Sequence, residues 1–307
     1  MYKCINMQKY TFIFIKIQKI TNFYAKNFKN LLTKVNKGCI ITSIENNFQK
    51  GEGKMKKLLA LVLVAIMIAS VCCFTSCGAK GKTLDEVKAA GKLTVATSPD
   101  FPPFESLEGN EVVGIEVDIM ELIAAELGVE LEIVQMDFDS VLLGIQSAKY
   151  DCGMSGITAS EDRKENMLFT IPYYNAAQVI VVKEGSAITG KADLEGKAIS
   201  VQTGTTADAG CTDAGYNVQA FAANADAKAA LTTGKVDAWV VDNLTAIQMV
   251  EEGDGLVILE EKMTEEPYAF AFAFGSEDLV AAINEALAEL IADGTVQQIV
   301  EKYIPAE

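Results

Sequence analysis

The pattern of apolar and polar positions predicts strands that alternate with helices through most of the chain. One predicted helix carries Ile115, Ile119, Ile123 and Leu127 at four-residue spacing, and Gly128 follows as a stop signal. This alternation predicts an α/β fold with largely parallel sheets. Strands are predicted at seven apolar runs: KLTVATS (92–98), LEIVQ (131–135), DCGMSG (151–156), QVIVVK (178–183), KAISVQ (197–202), DAWVVD (237–242) and YAFAFAF (268–274).

A repeated pattern predicts two similar lobes. The run GKLTVATSPD (91–100) resembles GKAISVQTGTT (196–206), since each leads from Gly-Lys through a strand into a polar turn. Each is followed by a Lys-x-Asp strand unit, SAKYDCGMSG (147–156) and TGKVDAWVVD (233–242). Because ligands of open α/β sheets bind beyond the carboxyl ends of strands, we expect these strand ends to face one cleft.

The segment MKKLLALVLVAIMIASVCCFTSCG, which begins at Met55, has the three parts of a secretory signal. It resembles a bacterial lipoprotein signal over 55–76, which implies a lipid on Cys77 and a location outside the cytoplasm, anchored to the membrane; an uncleaved membrane anchor is the alternative. Residues 1–54 do not resemble a domain. We interpret them as an upstream extension that precedes the true start, with a basic cytoplasmic extension as the alternative. Residues 77–82 are predicted to be a tether.

Charge and residue usage exclude several functions. Residues 77–307 carry 14 basic and 40 acidic groups, a net charge of −26, which disfavours nucleic-acid binding. The chain has no histidine, Cys-x-x-Cys or Gly-x-Ser-x-Gly, so catalysis, a metal or a cofactor is not expected. Cys152 and Cys211 fall in different predicted lobes and are expected to be free buried thiols.

Arg163 is the only arginine in the chain, in the stretch SGITASEDRKEN. It follows a predicted strand end, and Ser160 is placed to cap a short helix that begins at Glu161. A guanidinium is a planar fork that can bind a carboxylate through two hydrogen bonds, which lysine cannot do. The alternative is a surface ion pair with Glu161, Asp162 or Glu165.

Two further strand ends complete the features of an amino-acid site. Gly204, Thr205 and Thr206 offer backbone N–H groups and hydroxyls near a predicted helix start, which suits a carboxylate. Asp242 ends an apolar strand, where it either receives an ammonium group or caps the next helix. Together with Arg163 these residues match a zwitterion, the α-amino and α-carboxylate end of an amino acid.

These motifs together resemble the bacterial extracellular solute-binding proteins of family 3, the polar amino-acid receptors of ABC importers. The resemblance covers about residues 83–305, and its most specific stretch is GIEVDIMELIAAEL (114–127). It implies a periplasmic-binding-protein-like fold of two α/β lobes, joined by two crossing strands, that close on a ligand in the cleft. The implied first lobe is discontinuous (83–175 and 271–307), and the implied second lobe is 176–270. The other motifs that match in order are PDFPPFES, SGITASEDRK, VQTGTT, DAWVVDN and ALAELIADGTVQQIVEKYI.

The resemblance also implies roles for single residues. Arg163 would bind the α-carboxylate, and Asp242 would hold the α-ammonium. Helpers for the carboxylate are Thr158 and the backbone of Gly156 and Thr206, and helpers for the ammonium are Ser155 or Gly156. Phe101 and Phe138 would enclose the ligand's side chain, although aromatic residues after strands are more often part of the core.

One position departs from the family pattern. Members that bind basic amino acids or glutamine often have Asp three residues before the aromatic residue of the first loop, where this chain has Ser98. An unpaired buried cation is costly, so we expect a neutral or polar ligand side chain, with Gln202 as a further contact. The expected function is a monomeric, lipid-anchored receptor that delivers an amino acid to an ABC permease; the alternatives are an enzyme on this fold, such as a dehydratase, or a sensor.

Overall fold

The computed structural model describes residues 80–304, which lie in the compact unit Cys77–Glu307. The predictions for residues 1–54, for the signal 55–76 and for lipidation of Cys77 lie outside the described residues, as does most of the tether. Within residues 80–304, no helix has the length and apolar character needed to cross a membrane.

In the described part of the chain, four helices and eight strands precede the second sheet. Their bounds are α1 (Leu84–Ala90), β1 (Lys92–Thr97), β2 (Asp100–Phe101), β3 (Glu105–Glu108), β4 (Glu111–Val113), α2 (Ile115–Leu127), β5 (Glu130–Gln135), α3 (Phe138–Gln146), β6 (Cys152–Gly153), α4 (Glu161–Lys164), β7 (Leu168–Phe169) and β8 (Tyr174–Ala176).

The second sheet and the C-terminal helices follow. Their bounds are β9 (Gln178–Lys183), a 3-10 turn (Lys191–Leu194), β10 (Ala198–Gln202), α5 (Thr206–Asp213), β11 (Asn217–Phe221), α6 (Asn224–Thr232), β12 (Ala238–Asp242), α7 (Asn243–Met249), β13 (Leu256–Lys262), β14 (Glu266–Tyr268), β15 (Ala271–Phe272), α8 (Glu277–Ala292) and α9 (Thr295–Tyr303).

Two five-stranded sheets form the framework, and the α/β class predicted from the sequence is confirmed. The first sheet has the order β5-β1-β6-β15-β7, and the second has the order β11-β10-β12-β9-β13. In each sheet three strands are parallel, and two further strands run antiparallel to their neighbours. The prediction of largely parallel sheets therefore holds only for these three-strand parts.

Two short strands connect the regions of the two sheets. Strands β8 and β14 pair antiparallel, with Tyr174 opposite Tyr268 and Ala176 opposite Glu266. The main chain thus passes between the sheets in both directions along one two-stranded ribbon. The lobe boundaries given above stay a prediction, since the pairing alone does not define where each lobe begins.

The predicted single strand at 268–274 is wrong. The chain leaves β14 at Tyr268 and enters the first sheet as β15, where Ala271 pairs with Phe169 and Gly153. Between them, the N–H groups of Ala269 and Phe270 donate to the Ile157 carbonyl and the Thr170 hydroxyl. The apolar alternation marks a segment that is buried from Tyr268 to Ala273, and its two sets of backbone partners divide it into two strands.

Helix α2 packs on the first sheet through the predicted apolar face. Ile115, Ile119 and Ile123 are fully buried, and Leu127 packs against the same core cluster. Burying one such side chain stabilises the fold by about 1.5–3 kcal/mol. Gly128 ends the helix in the left-handed region at φ 74°, as its position after the periodic run indicated.

The two described cysteines are buried and free, as predicted. Cys152 lies in the core of the first sheet, and Cys211 packs under the second sheet in a different cluster. Burial raises the pKa of the Cys152 thiol well above its ordinary value and that of Cys211 to about 11. Both thiols are therefore poor nucleophiles at neutral pH.

Candidate functional site

A cleft lies where the carboxyl ends of β1 and β6 face those of β10 and β12. It encloses about 290 Å³, including the space at its open mouth. All of the predicted ligand-binding residues except Gly204 line it, together with Asp100, which the sequence reasoning left out. The lining residues are Ser98, Asp100, Phe101, Phe138, Ser155, Gly156, Thr158, Arg163, Gln202, Thr205, Thr206 and Asp242.

Arg163 is held in the cleft by backbone carbonyls from both sides. Its Nη1 donates to the Thr158 carbonyl at 3.0 Å, and its Nη2 donates to the Gly204 carbonyl at 3.1 Å. The guanidinium also lies 5.5 Å from the centre of the Phe138 ring, in a cation–π contact. Gly204 thus contributes to the site as an acceptor for Arg163.

The surface ion pair considered for Arg163 does not form among the described residues. Glu161 pairs instead with Lys164, at 2.8 Å. Ser160 caps α4 as predicted, because its Oγ accepts from the Arg163 N–H at 3.4 Å. The cap fixes the backbone from which the guanidinium extends. Burial lowers the pKa of the guanidinium, and the charges of Glu266 and then Asp242 oppose this shift.

Asp242 is a buried carboxyl on the second-sheet side of the cleft. Tyr268 Oη donates to its Oδ1, and Gln178 Nε2 donates to its Oδ2 at 2.9 Å. Its side chain makes no capping hydrogen bond to α7, so the capping alternative is not observed. Burial raises the pKa of Asp242 to about 7, against the hydrogen bond from Tyr268, which lowers it. Near neutral pH this carboxyl is poised to ionise beside a cation.

The chain after β6 shapes the opposite wall. Ser155 Oγ accepts from the Ser98 N–H at 3.1 Å, which joins the two strand ends. Gly156 has φ 51°, a conformation in which side chains are strained. A Cβ on Gly156 would lie 2.3 Å from the Phe101 ring. Glycine therefore allows the aromatic ring and the backbone to approach each other here.

The start of α5 supplies hydroxyls and a helix N-terminus. Thr205 is the N-cap, and its Oγ accepts from the Asp208 N–H at 3.2 Å. Thr206 Oγ accepts from Gln178 Nε2 at 3.2 Å, which ties it to the partner of Asp242. The Gly204 N–H donates to Asp208 at 3.0 Å and so is not free for a ligand. Within the predicted anion-binding turn, the Thr205 hydroxyl and N–H donate to the Gln202 carbonyl, so the Thr206 hydroxyl is the one that keeps its proton for a ligand.

Asp100 is the residue that the sequence reasoning missed. Its carboxylate accepts from Ser98 Oγ at 2.9 Å and from Gln202 Nε2 at 3.2 Å. It also accepts from the Asn224 N–H at 2.8 Å, so it connects the loop after β1 with the second sheet. The signal that points to it is its place shortly after β1, whereas Ser98 is singled out by comparison with the family pattern.

Phe101 and Phe138 belong both to the core and to the cleft. Both rings are buried, Phe101 in the cluster under α2 and Phe138 in the cluster around Ile145. Phe101 also stacks on Phe104 at a centroid distance of 5.6 Å. The two interpretations of these aromatic residues are therefore compatible, because each ring packs on the core and presents an edge or face to the cleft.

Comparisons with known proteins agree with this architecture. The model for bacterial extracellular solute-binding proteins, family 3, matches residues 93–306. The arginine-binding extracellular protein ArtP of Bacillus subtilis is 30% identical over 82% of this chain and 100% of its own length. The L-cystine-binding protein TcyJ of Escherichia coli K12 is 31% identical over 84% of this chain and 97% of its own.

A solved structure shares the fold. A crystal structure of a mutant of ArgBP from T. maritima is 40% identical, with a TM-score of 0.68, over 72% of this chain and 98% of that chain. At this identity the likeness extends beyond topology, and it confirms two α/β lobes with a cleft between them. The chain belongs to the bacterial extracellular solute-binding proteins, family 3.

Proposed function

We propose that the cleft binds an amino acid by its α-carboxylate and α-ammonium groups and that the protein delivers it to an ABC import permease. The observation that carries the proposal is the presence of Arg163 and Asp242 in one cleft. A fixed cation and a poised carboxyl at its two walls complement a zwitterion. The names of the relatives, which include an arginine and a cystine receptor, support the amino-acid class.

Arg163 is the proposed partner of the α-carboxylate. A guanidinium has five N–H donors, and the two backbone carbonyls engage one donor on each terminal nitrogen. The remaining donors are available to a ligand carboxylate, with Thr158, Gly156, Thr205 and Thr206 beside it. Because the Thr158 carbonyl on the same side of the cleft already holds one terminal nitrogen, less conformational freedom is lost on binding.

Asp242 is the proposed partner of the α-ammonium, with Ser155 or Gly156. An ammonium brought next to this carboxyl favours its charged form, which burial disfavours in the free protein. Gln178 and Tyr268 orient both carboxylate oxygens by hydrogen bonds. We therefore infer that the ligand's ammonium stabilises the ionised form of Asp242, which is unfavourable in the buried, ligand-free site.

The side-chain end of the cleft favours a cationic ligand such as L-arginine. The expectation of a neutral side chain, drawn from Ser98, is not supported, because Asp100 supplies a carboxylate to the cleft two residues later. In the pairing proposed above, Arg163 and Asp242 are balanced by the zwitterion, which leaves the charge of Asp100 without a cationic partner in the cleft. Gln202 would contact the same end of the ligand.

The proposed cycle is closure of two lobes on the ligand. Asp100 and Arg163 each bond to backbone atoms across the cleft, at Asn224 and Gly204, and such bonds favour a closed state. We propose 83–175 with 271–307 as the first lobe and 176–270 as the second. The ribbon of β8 and β14 would be the hinge between them.

The proposed setting is the outer face of the cell membrane. A lipid on Cys77 would anchor a monomeric receptor there, followed by a tether of a few residues. Mass spectrometry of the membrane-extracted protein tests this, since an unmodified Cys77 contradicts it. A binding role is preferred to a dehydratase-type enzyme because the family consists of solute-binding proteins.

Calorimetry on refolded protein, freed of co-purified ligand, tests the proposal. We expect L-arginine to bind more tightly than L-glutamine, L-histidine and L-cystine, and the D-enantiomer of arginine to bind weakly. Binding of none of the twenty amino acids or cystine contradicts the amino-acid class. Preference for glutamine over arginine contradicts only the cationic specificity.

A further inference from the structure

Two buried carboxyls lie beneath the part of the cleft formed by Ser155 and Gly156. Glu105 begins β3 and Glu116 lies in the first turn of α2, and neither side chain is exposed to solvent. In the described part of the chain, neither forms an ion pair with a lysine or arginine. Two adjacent carboxylates without a cation would be strongly unfavourable in this interior.

Glu116 has the partners of an ionised carboxylate. The Gly156 N–H donates to its Oε2 at 3.0 Å, and the Tyr173 hydroxyl donates to its Oε1. Both oxygens therefore accept hydrogen bonds, one from a backbone N–H that can only donate and one from the Tyr173 hydroxyl. Hydrogen bonds to the charged form stabilise that form, which partly offsets the cost of burying Glu116.

Glu105 has the partners of a protonated carboxyl. Its Oε1 accepts from Ser155 Oγ at 2.8 Å, whereas its buried Oε2 has no partner among the described residues when both carboxyls are taken as ionised. A proton on Oε2 gives this oxygen a donor. Glu116, whose N–H donates to the carbonyl of Phe104 beside Glu105 at 3.1 Å, is the neighbouring carboxylate that would accept it. Burial and the charge of Glu116 both raise the pKa of Glu105 well above its ordinary value.

We propose that Glu105 and Glu116 share one proton, carried on Glu105 Oε2, and that this pair positions Ser155 and Gly156 for ligand binding. Ser155 reaches Glu105 through its hydroxyl, and Gly156 reaches Glu116 through its N–H. The pair of glutamates, with one negative charge between them, therefore orients both Ser155 and Gly156. The binding role rests on the proposed function, whereas the shared proton does not.

Among residues 80–304, the other titratable groups that act on the pair do not include a cation. Tyr173, Asp100 and Cys152 are the neighbours that act on these carboxyls or on the Tyr173 hydroxyl. Burial, followed by the charge of Glu116, raises the pKa of Tyr173 well above its ordinary value, so its hydroxyl keeps a proton that it can donate to Glu116. Because these neighbours are acidic or neutral, one retained proton is what lowers the charge of the pair from −2 to −1.

Carbon-13 NMR on protein labelled at the glutamate side-chain carboxyl tests the shared proton. Asp242 is invisible in this experiment because only glutamate carries the label. We expect one glutamate signal of the ligand-free protein to stay protonated at pH 7 and to be absent from Glu105→Gln. If every glutamate carboxyl titrates near its ordinary pKa of about 4.3, the inference is overturned.

Two amide variants test the positioning role, with L-arginine as the probe. Glu116→Gln removes a charged acceptor from the Gly156 N–H and should raise Kd about tenfold or more. Glu105→Gln should raise it less, because its amide can donate to Glu116 in place of the acid proton. Glu126→Gln, an exposed position on the same helix, is the matched control and should leave Kd unchanged. Equal effects of the Glu105 and Glu116 variants, or the reverse order, contradict the assignment.

These measurements separate the inference from the proposed function. The NMR titration uses ligand-free wild-type protein, so it decides the proton even if Glu116→Gln does not fold. If the protein binds no amino acid but keeps the proton, the proposed function fails and the shared proton stands. If it binds L-arginine but holds no such proton, only the inference fails.

Discussion

Arg163 and Gly204 are joined across the cleft by a hydrogen bond of 3.1 Å from the guanidinium Nη2 to the backbone carbonyl. The other terminal nitrogen is fixed by the Thr158 carbonyl on the near side. The fork is thus oriented by main-chain atoms, which are less free to move than side chains. The Thr158 bond does not cross the cleft, so a ligand carboxylate that enters the open cleft would meet an arginine that is already partly ordered.

Replacement of this arginine should weaken ligand binding. In Arg163→Lys the charge is kept, but one ammonium cannot hold Thr158, Gly204 and two carboxylate oxygens together. We expect the affinity for L-arginine to fall by about 1.5–3 kcal/mol, measured by calorimetry. Lys164→Ala, at the neighbouring exposed residue, is the control. Unchanged affinity of Arg163→Lys contradicts the carboxylate assignment.

Ligand binding should depend on pH through Asp242. Its pKa in the free protein is about 7, and a bound ammonium should lower that pKa, so binding releases a proton below this pH. Affinity should therefore be full above about pH 8 and decrease as pH falls through 7, by up to tenfold per unit. Calorimetry in buffers of different ionisation enthalpy measures the released proton.

Asp242→Asn tests the origin of that pH dependence. The amide cannot ionise, so the variant should bind more weakly at pH 8 and show little change between pH 5.5 and 8. Proton release that persists in this variant would assign the effect to another group. Retained full affinity at pH 8 would count against the ammonium role.

Asp100 should set the preference for a cationic side chain. Asp100→Asn removes the charge and keeps the shape, so the preference for L-arginine over L-glutamine should fall by about tenfold, or about 1.4 kcal/mol. Competition calorimetry with the two ligands measures the ratio directly. Asp137→Asn, an exposed aspartate before α3, is the matched control. An unaltered ratio in Asp100→Asn means that another group selects the side chain.

The close approach at Gly156 should appear as a cost in stability. Gly156→Ala combines an unfavourable positive φ with a clash against the Phe101 ring, whereas Gly128→Ala has positive φ and open space. We expect about 1–2 kcal/mol of lost stability for Gly128→Ala and about 1–3 kcal/mol more for Gly156→Ala. Urea unfolding measures both, and equal losses would show that the Phe101 ring moves aside freely.

Local features of the fold could be predicted because they depend on neighbours in the sequence. The spacing of the apolar side chains predicts the helix from Ile115 to Leu127. Gly128 predicts the end of this helix, because glycine readily adopts the left-handed conformation found there. Arg163 is predicted to be a binding residue because it is the single arginine in the chain, and Asp242 because it lies at the end of a predicted strand. These signals need only the chain itself and general knowledge of α/β sheets.

The tertiary structure decided what no local pattern contains. Asp100 and Ser98 both lie shortly after β1 in sequence, yet the cross-cleft bonds to Gln202 and Asn224 are what bring the Asp100 carboxylate into the site. The segment 268–274 has one apolar alternation but two sets of backbone partners. Glu105 and Glu116 lie eleven residues apart in sequence. Their pairing exists because β3 and α2 pack together and exclude the water that would otherwise separate two like charges.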